Sequence, residues 1–258
     1  MYILINKPTG PTSHDVIDKM RKITGIKKIG HAGTLDPFAS GLLLIAIGRE
    51  STKEISKFVK LDKEYIADLK LGAVSDSYDR TGMIKLFNSE HPFCHPELVS
   101  GSSVKSRNKF GMTRKVCVDR VAEVLQNFIG KQEQIPPMFS AKKVNGKKLY
   151  ELARKGIEIK RKPSQIEIYK IEILPRKISR DPLTPLRSAQ DDILKLKISC
   201  ASGTYIRTLA NDIGKALGCG AYLQELERTK IGDYKLENAV VLEKLNSENW
   251  QKFCFQSC

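Results

Sequence analysis

The 258-residue chain has no long hydrophobic run: the longest, Leu42 to Ile47, spans six residues, where a membrane-crossing helix needs roughly 18 to 20. Its first residues, MYILINKPTG, show no basic stretch followed by an apolar one, so nothing there reads as a secretion signal. No C-x-x-C pair occurs among the six cysteines, Cys94, Cys117, Cys200, Cys219, Cys254 and Cys258. That spacing indicates neither a disulfide framework nor a structural zinc site. His91, Cys94 and His95 form the one metal-like cluster, but no second ligand pair stands at zinc-finger spacing, and the cluster reads as accidental. Acidic residues are also scarce, 29 against 44 Lys and Arg, which leaves a net charge of +15. A soluble cytoplasmic protein with reduced thiols is expected, carrying a surface for a polyanion, nucleic acid before a membrane.

What is present is a chain long enough for one large domain or two small ones, at roughly 150 residues each. Met1 to Asn6 is a short apolar run closed by K-P-T-G-P, and Ser13 reads as the N-cap of a helix with Val16, Ile17, Met20 and Ile23 inward and Gly25 at its end. The run after Gly41 is a buried strand, and Ile55, Phe58 and Val59 mark a short helix. From Glu64 to Leu71 residues alternate, turning Tyr65, Ala67, Leu69 and Leu71 inward. Val121 to Ile129 reads as a helix with Gly130 as its C′ residue. Strands are expected at Gln165 to Leu174, with a bulge near Tyr169 and Lys170, and at Ile193 to Cys200. A last helix runs from Thr204 to Leu217, stopped by Gly218. No regular βαβ alternation appears, so the expected class is α+β with a mainly antiparallel sheet.

Two polar, aperiodic stretches interrupt this pattern, at about residues 88–115 and 175–192. Both read as solvated insertions, since structureless loops of that length are uncommon in a compact domain. Between Lys131 and Lys162 the chain carries ten basic residues and three acidic ones. A balanced solvated face would carry both signs, so this run, with Lys142 and Lys143 within it, is expected to meet phosphates. Lys27 and Lys28 form a smaller basic cluster beside His31.

Gly30 to Gly41 packs three further features of note into twelve residues: glycines at 30, 33 and 41, His31, and Asp36 followed by Pro37. Taken alone, Asp36 and Pro37 are an ordinary helix start, the aspartate as N-cap. The whole segment G-H-A-G-T-L-D-P-F-A-S-G-L-L-L-I-A-I-G, however, resembles the catalytic motif of the bacterial tRNA pseudouridine synthase B family. Further stretches agree in order: K-P-T-G-P-T-S at Lys7 to Ser13, T-K at Thr52 and Lys53, K-E-Y at Lys63 to Tyr65, I-P-P-M-F-S-A-K-K-V-N-G-K-K-L-Y-E-L-A-R-K-G at Ile135 to Gly156, and S-G-T-Y-I-R-T-L at Ser202 to Leu209.

The resemblance implies the pseudouridine synthase fold, a central mostly antiparallel sheet flanked by helices and loops, with an RNA-binding cleft. It implies a catalytic domain over residues 1–237 with a short tail at 238–258 in place of the usual C-terminal RNA-binding domain. It also implies isomerisation of the T-loop uridine of tRNA by a monomer, without metal, cofactor, guide RNA or membrane. Asp36 would be the catalytic carboxylate, acting as nucleophile or as base toward the ribose. Arg207 would be its cationic partner, the alternative being a surface ion pair. Tyr65 would stack on the flipped uracil, its hydroxyl assisting loss of the C5 proton. His31 would occupy space near the flipped base, Tyr205 and Leu226 would line the pocket, and Lys27, Lys28, Lys53, Lys142 and Lys143 would hold the RNA. The competing reading is an RNA-binding protein without catalysis, which needs no triad of Asp36, Tyr65 and Arg207.

Overall fold

A computed structural model describes residues 1–87, 118–140, 142–144, 146–153, 156–175 and 193–256. The first insertion, with His91, Cys94 and His95, and nearly all of the second lie outside the described residues. In chain order the elements are β1 (Tyr2–Lys7), α1 (Ser13–Thr24), β2 (Ile29–His31), β3 (Ser40–Ile47), α2 (Arg49–Glu54), α3 (Ser56–Val59), β4 (Lys63–Leu71), β5 (Ala73–Ser75), β6 (Ile84–Leu86), α4 (Val118–Gln126), β7 (Gly130–Gln134), β8 (Lys143–Val144), β9 (Lys147–Lys148), α5 (Leu149–Ala153), β10 (Ser164–Ile173), β11 (Ile193–Cys200), α6 (Ile206–Leu217), β12 (Ala221–Ile231), β13 (Tyr234–Lys235), β14 (Val240–Val241) and β15 (Cys254–Phe255).

One large sheet runs in the order β14-β1-β3-β12-β4-β11-β10-β7. Its described pairs are antiparallel except β1 with β14 and β3 with β12, so the α+β expectation holds. Strand β4 alternates between buried and half-buried at every position, because a sheet covered on one side buries every second side chain. Its inner residues Tyr65, Ala67, Leu69 and Leu71 pack with Leu209, Ala210, Ile213 and Leu217 of α6 in one core cluster. A second cluster joins Val16, Ile17 and Met20 of α1 to β1, β3 and Trp250. The bulge expected in β10 lies between Ile168 and Lys170, where Tyr169 is exposed and donates to Asp62 Oδ1 at 3.0 Å.

Several local expectations change. The cap of α1 is Thr12, which forms a reciprocal capping box with Asp15. Ser13 is instead the first helical residue, and its hydroxyl accepts from Leu35 N–H at 2.9 Å and donates to Leu35 C=O at 3.1 Å. That hydroxyl is engaged across the fold, 22 residues away, and the cap falls to the residue before it. Gly130 does not close α4, which ends at Gln126; with φ +104 it opens β7. No helix follows Asp36 and Pro37: Ala39 N–H donates to Asp36 C=O at 3.1 Å and the chain enters β3 one residue later. The residues after 238 are also more than an appendage, since β14 and β15 both pair with β1 and bury Val240, Leu242, Leu245 and Trp250.

Candidate active site

The segment between β2 and β3 crosses from one core cluster to another, with Ala32 in the cluster under β1 and β3 and Leu35, Phe38 and Ala39 in the one under β4 and α6. Neighbouring backbone fixes it further, because Gly10 N–H donates to Pro37 C=O at 2.8 Å. Buried residues on both sides of Asp36 hold its backbone while its side chain remains 35% exposed.

Arg207, in the first turn of α6, meets that carboxylate edge-on: Nε lies 2.9 Å from Oδ2 and Nη2 donates to Oδ1 at 3.3 Å. Such a fork fixes orientation as well as charge. Its remaining donors are used as well, Nη2 to Phe139 C=O at 2.6 Å and Nη1 to Ser77 C=O and Asp79 Oδ2, both at 3.3 Å. At 5% exposure Arg207 is a buried group, so the surface ion-pair reading fails. Asp79 is buried too, and its other oxygen accepts from Ser77 Oγ and Thr81 N–H, each at 2.8 Å. Burial pushes the Asp36 carboxyl above the usual carboxylate range; Arg207 pulls it back, and Asp79 adds to the rise.

Tyr65 sits on the inner face of β4, opposite Arg228 of β12 and Ile198 of β11. Burial raises its phenol above the ordinary value, while the adjoining Arg228 guanidinium acts in the opposite direction. Arg228 is 1% exposed; its Nε donates to Leu42 C=O at 2.8 Å and its Nη2 to Gly33 C=O at 3.0 Å. Gly41 is obligatory beside it. Its φ is +105°, and a Cβ there would stand 2.4 Å from the Arg228 carbonyl oxygen. Lys7 is fully buried, donates to Pro8 and Pro11 carbonyls at 2.8 Å each, and is pushed down to about 8 by burial.

The remaining candidates are distributed around this centre. Tyr205 is the residue before α6, held by Gln134, whose side chain accepts from its N–H and donates to its C=O. Leu226 and Phe38 line a cavity of about 190 Å³ together with Thr9, Ser40 and Ile66; Asp36 is not one of its walls. His31 ends β2, its ring edge-on to His14 with centroids 6.1 Å apart, and burial pushes it down to about 4. Lys27, Lys28, Lys53 and Lys142 are exposed and lie outside the Asp36 network, Lys142 donating to Ser164 Oγ. Lys143 lies on β8, and its side chain is outside the described positions.

Sequence reasoning missed Asp79 and Arg228. Asp79 lies in S-D-S-Y-D-R-T-G, which looks like a solvated turn. Arg228 left one usable trace, a charge two residues after inward Leu226, where alternation calls for an apolar side chain.

Comparison with known proteins gives one consistent match. The model of the TruB family pseudouridylate synthase (N terminal domain) matches residues 21–103 and 99–206, and that of the tRNA pseudouridylate synthase B C-terminal domain matches residues 207–255. A tRNA pseudouridine synthase B of Protochlamydia amoebophila is 42% identical over 238 residues, covering 92% of this chain and 76% of the relative. One from Clostridium tetani is 41% identical over 251 residues, covering 97% and 74%. Among solved structures, a chain of a Cbf5-Nop10-Gar1 complex superposes with a TM-score of 0.61 at 27% identity, over 94% of this chain and 52% of its own length. The present chain thus spans about half of that solved chain.

Proposed function

This chain belongs to the TruB family of pseudouridylate synthases, and on that premise we propose that it isomerises the T-loop uridine of tRNA, at position 55, to pseudouridine. The observation that carries the reading is the ion pair of Asp36 with buried Arg207: a carboxylate forked and aimed by a guanidinium, with a third of its surface open to a substrate.

The reaction detaches uracil at N1, turns it and rejoins it through C5. A uridine stacked in an RNA loop must first leave the stack, at a cost of about a few kcal/mol. Asp36 then acts at the sugar, as nucleophile toward the anomeric carbon or as base toward a ribose proton in forming a glycal. Arg207 favours the ionised form of that carboxyl, against the rise that burial imposes. Tyr65 supplies a ring to stack on the freed base and a phenol oxygen that, once ionised, assists removal of the C5 proton; Leu226 and Tyr205 bound the space it turns in. His31, neutral because burial holds it at about 4, fills room near the flipped base without adding charge. Lys27, Lys28 and Lys53 on one side, and Lys142 and Lys143 on the other, meet phosphates of the T-arm. The enzyme works as a cytoplasmic monomer on tRNA, without a guide RNA; its catalytic residues lie within residues 1–237, and residues 240–255 complete the edge and core of β1.

An unmodified tRNA transcript incubated with the protein and then mapped chemically for pseudouridine tests the assignment. A single modified position in the T-loop is expected. A transcript left unmodified at that position, under conditions where the protein binds it, sinks the reading.

A further inference from the structure

Arg228 is the largest side chain buried to this degree in the described protein, and no step above uses it. Burying a guanidinium costs several kcal/mol even after relaxation, so its surroundings ought to compensate the charge. They do so only in part. Its guanidinium donates to two neutral backbone carbonyls, those of Leu42 and Gly33, and bears on the neutral Tyr65 phenol. Two lysines and a neutral histidine surround it: Arg228 bears on Lys7 of β1, Lys63 of β4 and His31 of β2, and in all three it disfavours the protonated form. Lys7 and Lys63 are both held at about 8.

What this guanidinium reaches gives it a task. Through Gly33 C=O it is tied to the segment that ends in Asp36, and through Leu42 C=O to β3. Across the ladder it is the register partner of Tyr65. Gly33 turns the chain at φ +92, a left-handed backbone that favours glycine, beside the Arg228 guanidinium. One rigid group therefore links the strand carrying the tyrosine to the turn carrying the aspartate.

We propose that Arg228 is a positioning residue for the isomerisation, locking Tyr65 and the Asp36 turn into one frame and placing a positive charge beside the phenol oxygen as C5 loses its proton. This rests on the reaction assigned above. In its closing step the C5–H pair becomes the C5=C6 double bond, the N1=C6 pair returns to N1, and N1 takes a proton from water. The C5 proton passes to the phenolate oxygen of Tyr65, which has already released its own proton to solvent. A cation beside that oxygen favours the phenolate. The charged or titratable groups facing Tyr65 are Arg228 from β12, Cys200 from β11 and Asp36 from the turn, and of these Arg228 alone favours ionisation.

The test is single-turnover pseudouridine formation in a T-arm RNA, followed across pH for wild type, Arg228→Lys, Tyr65→Phe and the double variant. Arg228→Lys keeps the charge but loses the fork. It should bind RNA with unchanged Kd, react about tenfold more slowly at neutral pH, and have the rising limb of its rate profile displaced upward by about one pH unit. In the Tyr65→Phe background the same substitution should cost less than about twofold, because its target is gone. Equal losses in both backgrounds, or an undisplaced limb, overturn the proposal. Should Arg228→Lys fail to fold, a fluorinated tyrosine of more acidic phenol, placed at position 65 of otherwise wild-type enzyme, should move the limb to lower pH; a limb that stays in place overturns the proposal as surely. Wild-type protein that forms no pseudouridine removes the assigned reaction and this proposal together, whereas an active wild type with an unresponsive limb removes the proposal alone.

Discussion

Asp36 and Asp79 share one guanidinium: Arg207 places Nε 2.9 Å from the first and Nη1 3.3 Å from the second. The two carboxylates differ in access, since the Asp36 side chain is 35% exposed and that of Asp79 3%. Asp79, anchored by Ser77 and Thr81, fixes the arginine from behind, and the arginine presents a fixed fork to Asp36. Substitutions along this line should separate chemistry from stability.

Asp36→Asn keeps the shape of the side chain and removes the charge. Because the site is partly open and no helix depends on it, thermal stability should change little, by less than about 1 kcal/mol. Binding of tRNA should persist while pseudouridine formation falls below detection. A single-turnover rate near wild type would show that the carboxylate is not the reacting group.

Arg207→Met is expected to fail differently. It strands Asp79 in the interior without its cation, and breaking a buried pair from one side costs about 3–5 kcal/mol. Urea denaturation should show that loss in the midpoint. A loss no greater than that of Asp36→Asn would mean that Asp79 is not the buried anchor described here.

His31 makes stability depend on acid. Its folded value of about 4 lies below the unfolded 6.5, so the unfolded chain binds the proton more readily. The contribution of neutral His31 is therefore complete above 6.5 and is lost as pH falls from 6.5 through 4. His31→Gln should flatten the acid limb of a stability profile over that window while leaving the profile above pH 7 unchanged. An identical slope in both proteins would show that other groups set it.

The ends of β10 and β11 face each other as in a hairpin, with Ile173 opposite Leu196 and Leu174 N–H donating to Lys195 C=O at 2.9 Å. Since closure cost grows slowly with loop length, replacing residues 176–191 by a short Gly-Ser turn should leave melting temperature and activity close to wild type. Replacing residues 90–114 should do likewise. A shortened protein that melts normally yet no longer modifies tRNA would assign the removed segment a role.

How much of this was legible beforehand follows from what each feature depends on. Periodicity exposed β4 and α6, because burial on one face forces a repeat that a reader can count, and it turned Tyr65 inward correctly. The Asp36 turn and Arg207 were found through ordered motifs, whereas their mutual geometry needed the fold. The α1 cap slipped by one residue because Ser13 bonds to Leu35, 22 positions away, and no local pattern records that. Arg228 was marked only by its spacing from Leu226, because bulges on either side, between Leu223 and Glu225 and between Arg228 and Lys230, interrupt the longer alternation that would have made that mark plain. Asp79 acquires its meaning only from Arg207, 128 residues further along.

Strand β1 is held on its far edge by residues 240–241 and 254–255. During synthesis β1 therefore waits for β14 and β15, more than 230 positions further along, before its edge is covered. Until then an apolar ribbon, Tyr2 to Ile5, offers unpaired backbone to any passing strand. The pairing joins residues more than 230 positions apart, and long-range closure of this kind is slow, so the nascent protein passes through a period in which β1 stands open to aggregation. Slowed elongation between the codons of β3 and those of β14 and β15 should lengthen that period and raise the demand for chaperones without altering a single residue of the finished protein.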